Sequence, residues 1–232
     1  KPGELLYSLA QHRSDKGDMR SVAQFDLGLT QAIAANAALV RKPRFAGGAT
    51  PGYAQLGLRG YWESMIVSSQ WTRAQAGGSL LDLGLKTRLG GYSLDLQHIQ
   101  RQRGFESDLF SSGANALRYR DKLGLTGSFK PSPLPPLLMS LEAVRDAQES
   151  GASTLGVQVR ASTVLRGTSL SHSLRWQRAA GAASADGSLQ LSRRVLDIGL
   201  NAQLNYTLRP QAALQGLSLS GDRQLSAGYR VN

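Results

Sequence analysis

Polar and apolar residues alternate along most of this chain. From Ile198 to Arg209 the apolar residues Ile198, Leu200, Ala202, Leu204, Tyr206 and Leu208 occupy every second position. Gly199, Asn201, Gln203, Asn205, Thr207 and Arg209 fill the positions between. On a strand, successive side chains point to opposite faces, so the two sets separate; on a helix they would scatter around the circumference. The same period of two sets Leu81, Leu83, Leu85 and Leu89 against Asp82, Gly84, Lys86 and Arg88. It sets Leu155, Val157, Val159, Ala161 and Leu165 against Gly156, Gln158, Arg160, Ser162 and Arg166. Leu170, Leu174 and Trp176 oppose Ser171, Ser173, Arg175 and Gln177, and Leu225, Ala227, Tyr229 and Val231 oppose Ser226, Gly228 and Arg230. The pattern predicts an all-β chain.

Turn signals punctuate these runs at Asp15-Lys16-Gly17-Asp18, Ala46-Gly47-Gly48, Gly77-Gly78, Gly90-Gly91, Ser150-Gly151, Gly167-Thr168 and Asp186-Gly187. They lie about 13 to 60 residues apart, and the runs of alternation between them suit successive hairpins and roughly 14 to 16 strands. Residues 41–52, with Pro43 and Pro51, and residues 104–115 are expected to be long loops on one rim. Pro131-Ser-Pro133-Leu-Pro135-Pro136 is expected to be a stiff hairpin connection, because proline cannot donate to a sheet ladder.

Alternation fits a soluble sandwich as well as a membrane barrel. Three features favour an antiparallel up-and-down transmembrane β-barrel, here a single domain over residues 1–232. The polar register is mostly Gly, Ser, Asn, Gln and Thr with interspersed Arg, as in a water-filled interior. The Ile198–Arg209 run matches the roughly 9 to 11 residues of a tilted spanning strand. Tyr7, Tyr53, Tyr61, Trp62, Trp71, Tyr92, Tyr119, Trp176, Tyr206 and Tyr229 fall toward run ends, where a headgroup girdle would place them. The aromatic fraction of 6% is low for such a barrel.

Charge and candidate chemistry narrow the function. The net charge is +11, but the basic residues are spread one or two per strand rather than clustered with aromatics, so no nucleic-acid partner is expected. Lys86, Arg88, Arg160, Arg166, Arg175, Arg209 and Arg230 fall in the polar register, joined by Lys130. They are expected to line an electropositive lumen, since arginine facing lipid at the midplane costs about 2–4 kcal/mol. Arg13, Arg41, Lys42 and Arg44 are expected at rims, against lipid phosphates. The absence of cysteine excludes a disulfide framework, a thiolate metal site and a cysteine nucleophile. His12, His98 and His172 lack metal-ligand neighbours, and the last two, in apolar registers, are expected at strand ends. There is no Gly-x-Ser-x-Gly elbow, phosphate loop or dinucleotide fingerprint, and the carboxylates of Glu106-Ser107-Asp108 read as solvated loop groups. No catalytic site, metal or cofactor is expected.

The chain opens Lys1-Pro-Gly-Glu-Leu-Leu-Tyr-Ser-Leu-Ala-Gln-His-Arg13. This resembles the stretch that follows the plug in fimbrial outer-membrane ushers, where an Arg-Pro-Gly-like turn leads into an alternating Tyr-Ser-Leu strand ending near an arginine. Gln24-Phe-Asp-Leu-Gly-Leu-Thr30 and then Ala34–Val40 are similar to the usher Tyr-Gly-Leu-Thr hairpin and its following strand of small residues. Tyr53–Arg59 and Leu83–Asp95 resemble the succeeding usher strands. The first residue is Lys rather than Arg, the chaperone-binding, plug and carboxy-terminal domains are not in this stretch, and its end lacks a closing aromatic. The chain is therefore expected to be a segment of a longer one.

The resemblance implies a pore in the Gram-negative outer membrane that exports pilus subunits, with lipid as its direct partner and with subunits and a periplasmic chaperone engaged through other domains. Two alternatives stand beside it: a porin or polysaccharide-export barrel, and a soluble structural β-domain of a surface protein.

Overall fold

The structure, a computed structural model, describes residues 1–13, 19–41, 52–102, 104–106, 116–130, 135–225 and 229–231. Within them lie fifteen strands and no helix: β1 (Leu5–Arg13), β2 (Met19–Gly28), β3 (Ile33–Arg41), β4 (Gly52–Trp62), β5 (Met65–Ala74), β6 (Ser79–Leu89), β7 (Tyr92–Arg101), β8 (Leu117–Phe129), β9 (Leu137–Gln148), β10 (Ser153–Leu165), β11 (Thr168–Ala179), β12 (Ala182–Val195), β13 (Ile198–Arg209), β14 (Ala213–Leu225) and the short β15 (Tyr229–Val231). They form one sheet in strict sequence order, β1 to β15, so the architecture is the all-β, antiparallel, up-and-down meander that the period of two predicts. Two compact units are distinguishable: residues 1–88, 95–122 and 146–152, and residues 89–94, 123–145 and 153–232.

Tight turns set the registers. Arg166 and Gly167 have φ of 50° and 78°, Ala180 and Gly181 48° and 83°, and Leu196 and Asp197 50° and 65°. Two successive positive φ values are the signature of the two-residue hairpin turn whose twist matches the strands. Two sequence expectations are corrected here. Arg166 occupies a turn, not a strand face. Asp186-Gly187, a strong turn signal, lies inside β12, and the chain reverses instead at Ala180-Gly181 and Leu196-Asp197. The reason is tertiary: a side chain at Gly187 would overlap the Tyr206 ring on β13, so glycine serves a close approach there rather than a turn.

Other expectations lie partly outside the described residues: the turns at 15–18 and 46–48, most of both long loops, residues 107–108, Lys42, Arg44 and Pro131–Leu134. The connections that contain the two long loops, β3 to β4 and β7 to β8, leave the same end of the strands.

Paired residues on antiparallel neighbours share a face. In the second unit, Val159 pairs with Leu174, His172 with Leu189, Leu189 with Leu204, and Leu204 with Leu217. The intervening row runs Ser162, Ser171, Gln190, Gln203, Ser218. One face is thus apolar and the other polar across five strands. The first unit repeats the division. Tyr7, Phe25, Ala37, Leu56, Trp71 and Leu81 form one cross-strand row on the apolar face. Asp26 and Asn36, then Gly57 and Gln70 with Asp82, lie on the polar face.

No second layer covers the apolar face among the described residues. Among the described residues no large side chain is fully buried, and Leu9, Leu217 and Leu219 remain 80%, 72% and 79% exposed. A sandwich would bury these residues against a facing sheet about 10 Å away. The principal buried cluster lies instead on the polar face of the first unit, at the end that carries the long connections. Phe105, 2% exposed, packs there with Ala74, Tyr53, Leu80 and Ile99.

Candidate functional site: the polar face

The polar face of β10–β14 is built from amides and hydroxyls. Ser173 and Ser188 share a hydrogen bond of 2.9 Å, Gln190 donates to Asn201 at 3.2 Å, and Gln203 donates to Asn205 at 3.0 Å. Such groups both donate and accept, and each keeps capacity for water or a ligand beyond its one protein partner. Arg160 lies beside Gln158, whose oxygen, with the amide turned toward the guanidinium, accepts two bonds of 3.1 and 3.2 Å. Arg175 stands opposite both Gln158 and Asp186 and donates to Gln177 at 3.4 Å.

In the first unit the same face carries a cleft of about 390 Å³ lined by Asp26, Asn36, Arg59, Gln70, Asp82, Lys86, Asp95, Gln97 and Lys122 among others. Gln97 donates to both oxygens of Asp82 at 3.1 and 3.0 Å, and the Lys86 ammonium sits 3.1 Å from Asp95. Arg120, on the face of Lys122, forks onto Asp146 with two bonds of 2.7 Å. This bidentate geometry is the strong form of the pair. Near the end of the strands, Arg101 is buried within 3.6 Å of Glu149.

Residues 102, 105 and 106 contact β4 and β6 at that end. Ser79 Oγ donates to Gln102 at 2.7 Å, the Tyr53 hydroxyl donates to the Glu106 carbonyl at 2.7 Å, and the Tyr53 and Phe105 rings lie 5.8 Å apart. Sequence reasoning missed Phe105 and Arg101. The only signal for Phe105 was an apolar residue inside a run otherwise read as loop.

The seven basic residues expected in the lumen are distributed over both units. Lys86 and Arg88 lie on the polar face of β6, where Lys86 is neutralised by Asp95, and Arg160 and Arg175 lie on the polar faces of β10 and β11. Arg230 pairs in register with Gln224. Arg166 is in its turn, and Lys130 follows β8 outside the strand. Arg209 is displaced. Asp186 faces Thr207, but Ala185 faces Arg209, so Leu208 is the extra residue of a bulge that shifts Arg209 into the register of the apolar face. With Asp82, Asp95, Asp146 and Asp186 interleaved, the polar face is mixed in sign rather than uniformly positive.

His98 and His172 lie on the apolar face, but within their strands rather than at the ends. Each has a partner across the sheet. His98 Nδ1 is 2.6 Å from an Asp121 oxygen, with Tyr119 stacked on the ring, and His172 Nε2 is 2.5 Å from the Tyr206 hydroxyl. Tyr206 reaches its histidine two strands away by lying across Gly187. Among the described residues no three potential metal ligands come together.

No family model matches the chain, and no curated protein matches it. Among solved structures it is similar to one described as Wzi, an outer-membrane protein involved in group 1 capsule assembly in Escherichia coli and a carbohydrate-binding β-barrel. The identity is 11% and the TM-score 0.45 over 94% of this chain. The match spans 66% of that chain, just under two thirds of its length.

Proposed function

We propose that this chain forms the wall of a Gram-negative outer-membrane β-barrel, and that its amide- and hydroxyl-rich face is a wet track for a polysaccharide. The observation that carries the reading is the two-faced sheet of β10–β14. One face is apolar and uncovered; the other is a continuous ladder of Ser, Asn and Gln. Large side chains left in water each forgo about 1.5–3 kcal/mol of burial, and lipid supplies that burial without a second protein layer. A sugar chain presents hydroxyls that donate and accept, and Asn and Gln side chains match both roles. Mixed-sign charge favours a hydrated neutral or weakly charged polymer over a strongly anionic one.

The test is equilibrium binding of fluorescent dextran to the protein in vesicles. Replacing Asn201, Gln203 and Asn205 together by Ala should weaken binding about tenfold, the loss of about 1.4 kcal/mol of hydrogen bonding. Unchanged binding removes the polysaccharide and leaves the membrane wall. A second reading is the usher-like one, in which the cargo is a folded pilus subunit brought by its chaperone. The positive-φ turn at Gly3 leading into β1 favours it. Substituting a chaperone–subunit complex for dextran in the same measurement separates the two.

A further inference from the structure

The apolar face of the first unit changes character at the end that carries the long connections. Leu9, Ala23, Leu39 and Ala54 form one cross-strand row, and the row continues to Arg73 on β5. The next row outward pairs Ser21 with Arg41, and Arg13 lies beyond it on β1, opposite Met19. Alanine alternates with leucine in the first row, so the face sinks into a groove of about 850 Å³ over Ala23 and Ala54, with Leu9 and Leu39 as walls and Arg41 and Arg73 at its outer edge. Both arginines are exposed, and neither has a carboxylate partner among the described residues.

An apolar trough that opens onto exposed arginines is complementary to one kind of molecule: an acyl chain carrying an anionic head. The guanidinium forks bidentately onto phosphate, and lipid-facing arginine is tolerated at the headgroup level though not at the midplane. Long connections mark the outer side of outer-membrane barrels, and the β3–β4 and β7–β8 connections both leave this end. The leaflet on that side is made of phosphorylated glycolipid. We infer that Arg41 and Arg73 bind a phosphate of an outer-leaflet lipid A, with one acyl chain lying in the groove floored by Ala23 and Ala54. The inference rests on the membrane reading above.

Vesicles of phosphatidylcholine doped with lipid A, or with phosphatidylglycerol at matched charge, provide the test. The full chain is reconstituted, extracted gently and weighed with its bound lipids by native mass spectrometry. The expected result is one retained lipid A, lost about tenfold in the R41Q/R73Q double variant and retained in an R88Q control. An Ala54→Leu variant, which fills the floor and keeps both charges, should lose it as well. Equal retention of phosphatidylglycerol, or full retention by the double variant, overturns the assignment. Failure of the membrane reading is a separate outcome, because the wild-type protein would then not float with the vesicles at all.

Discussion

Tyr206 shows how one residue can organise three strands. Its ring lies over Gly187 on β12, its hydroxyl meets His172 on β11, and the two rings are nearly parallel, at 11° with centroids 6.1 Å apart. Pairing an aromatic with a cross-strand glycine covers the bare backbone of the glycine and fixes register. Gly187→Ala should therefore cost about 1–3 kcal/mol, because its methyl group must displace the ring from a packed position. Tyr206→Phe should cost only about 1 kcal/mol, the hydrogen bond alone. Urea unfolding of the folded protein in detergent micelles reads both. Equal effects for the two variants would mean that the ring is not held where the structure shows it.

His98 and Asp121 test the environment of the apolar face directly. The His98–Asp121 contact of 2.6 Å lies in the registers of Leu96 and Leu123, on the face proposed to meet lipid. Removing one member of such a pair strands the other in a poor solvent, whereas replacing both with apolar residues restores a uniform surface. Asp121→Leu alone should destabilise the protein by more than 1 kcal/mol, and His98→Leu/Asp121→Leu should regain most of it. Both side chains are more than a third exposed, so the effect should be small in water and grow in vesicles. An additive cycle in vesicles would place this face in water.

At the scale of single elements, the period of two was legible from sequence because it is a local property. The faces of β10, β11 and β13 fall as the alternation puts them, and the strand total lies in the expected range. What failed depended on neighbours. The bulge at Leu208 reverses the face of Arg209, and no local signal in Tyr206–Arg209 announces it. The Asp186-Gly187 pair has ideal turn chemistry but is needed inside β12 by a residue nineteen positions further on. The acidic partner of Lys86 was within reach of sequence reasoning, since a two-residue turn at Gly90-Gly91 makes positions 86 and 95 cross-strand neighbours. The element that tests the faces best is β13. Cysteines at Asn201, Gln203 and Asn205 should react with a membrane-impermeant charged thiol reagent in reconstituted barrels open to the medium. Cysteines at Leu200, Ala202 and Leu204 should remain protected by lipid, and the opposite pattern would exchange the roles of the two faces.

At the scale of the whole molecule, the membrane reading rests on how deep the apolar band is and on what marks its edges. Eight residues of β4 separate Ala54 from Trp62, about 27 Å of strand, or about 20 Å of depth at the tilt usual for such barrels. That approaches the apolar band of about 25 Å seen in outer-membrane proteins. The chain has three tryptophans, and each lies on the apolar face of its own unit. Trp62 shares the Leu56 and Leu58 register, Trp71 lies in the row of Tyr7 and Phe25, and Trp176 pairs with Val157 and Ala185. Intrinsic fluorescence therefore samples the apolar face of each unit without any substitution. In vesicles whose acyl chains carry bromine, most of the emission should be quenched, while acrylamide added to the water should quench little. A soluble β-domain would give the reverse, strong acrylamide quenching and no response to brominated lipid. The bromine position adds a depth scale. Trp62, at the end of β4, should respond best to bromine near the headgroup, and Trp71, three residues from the end of β5 and level with Leu56, should respond to bromine deeper in the chain. W62F and W71F variants resolve the two, and an identical depth profile for both would mean that the strands do not cross the bilayer.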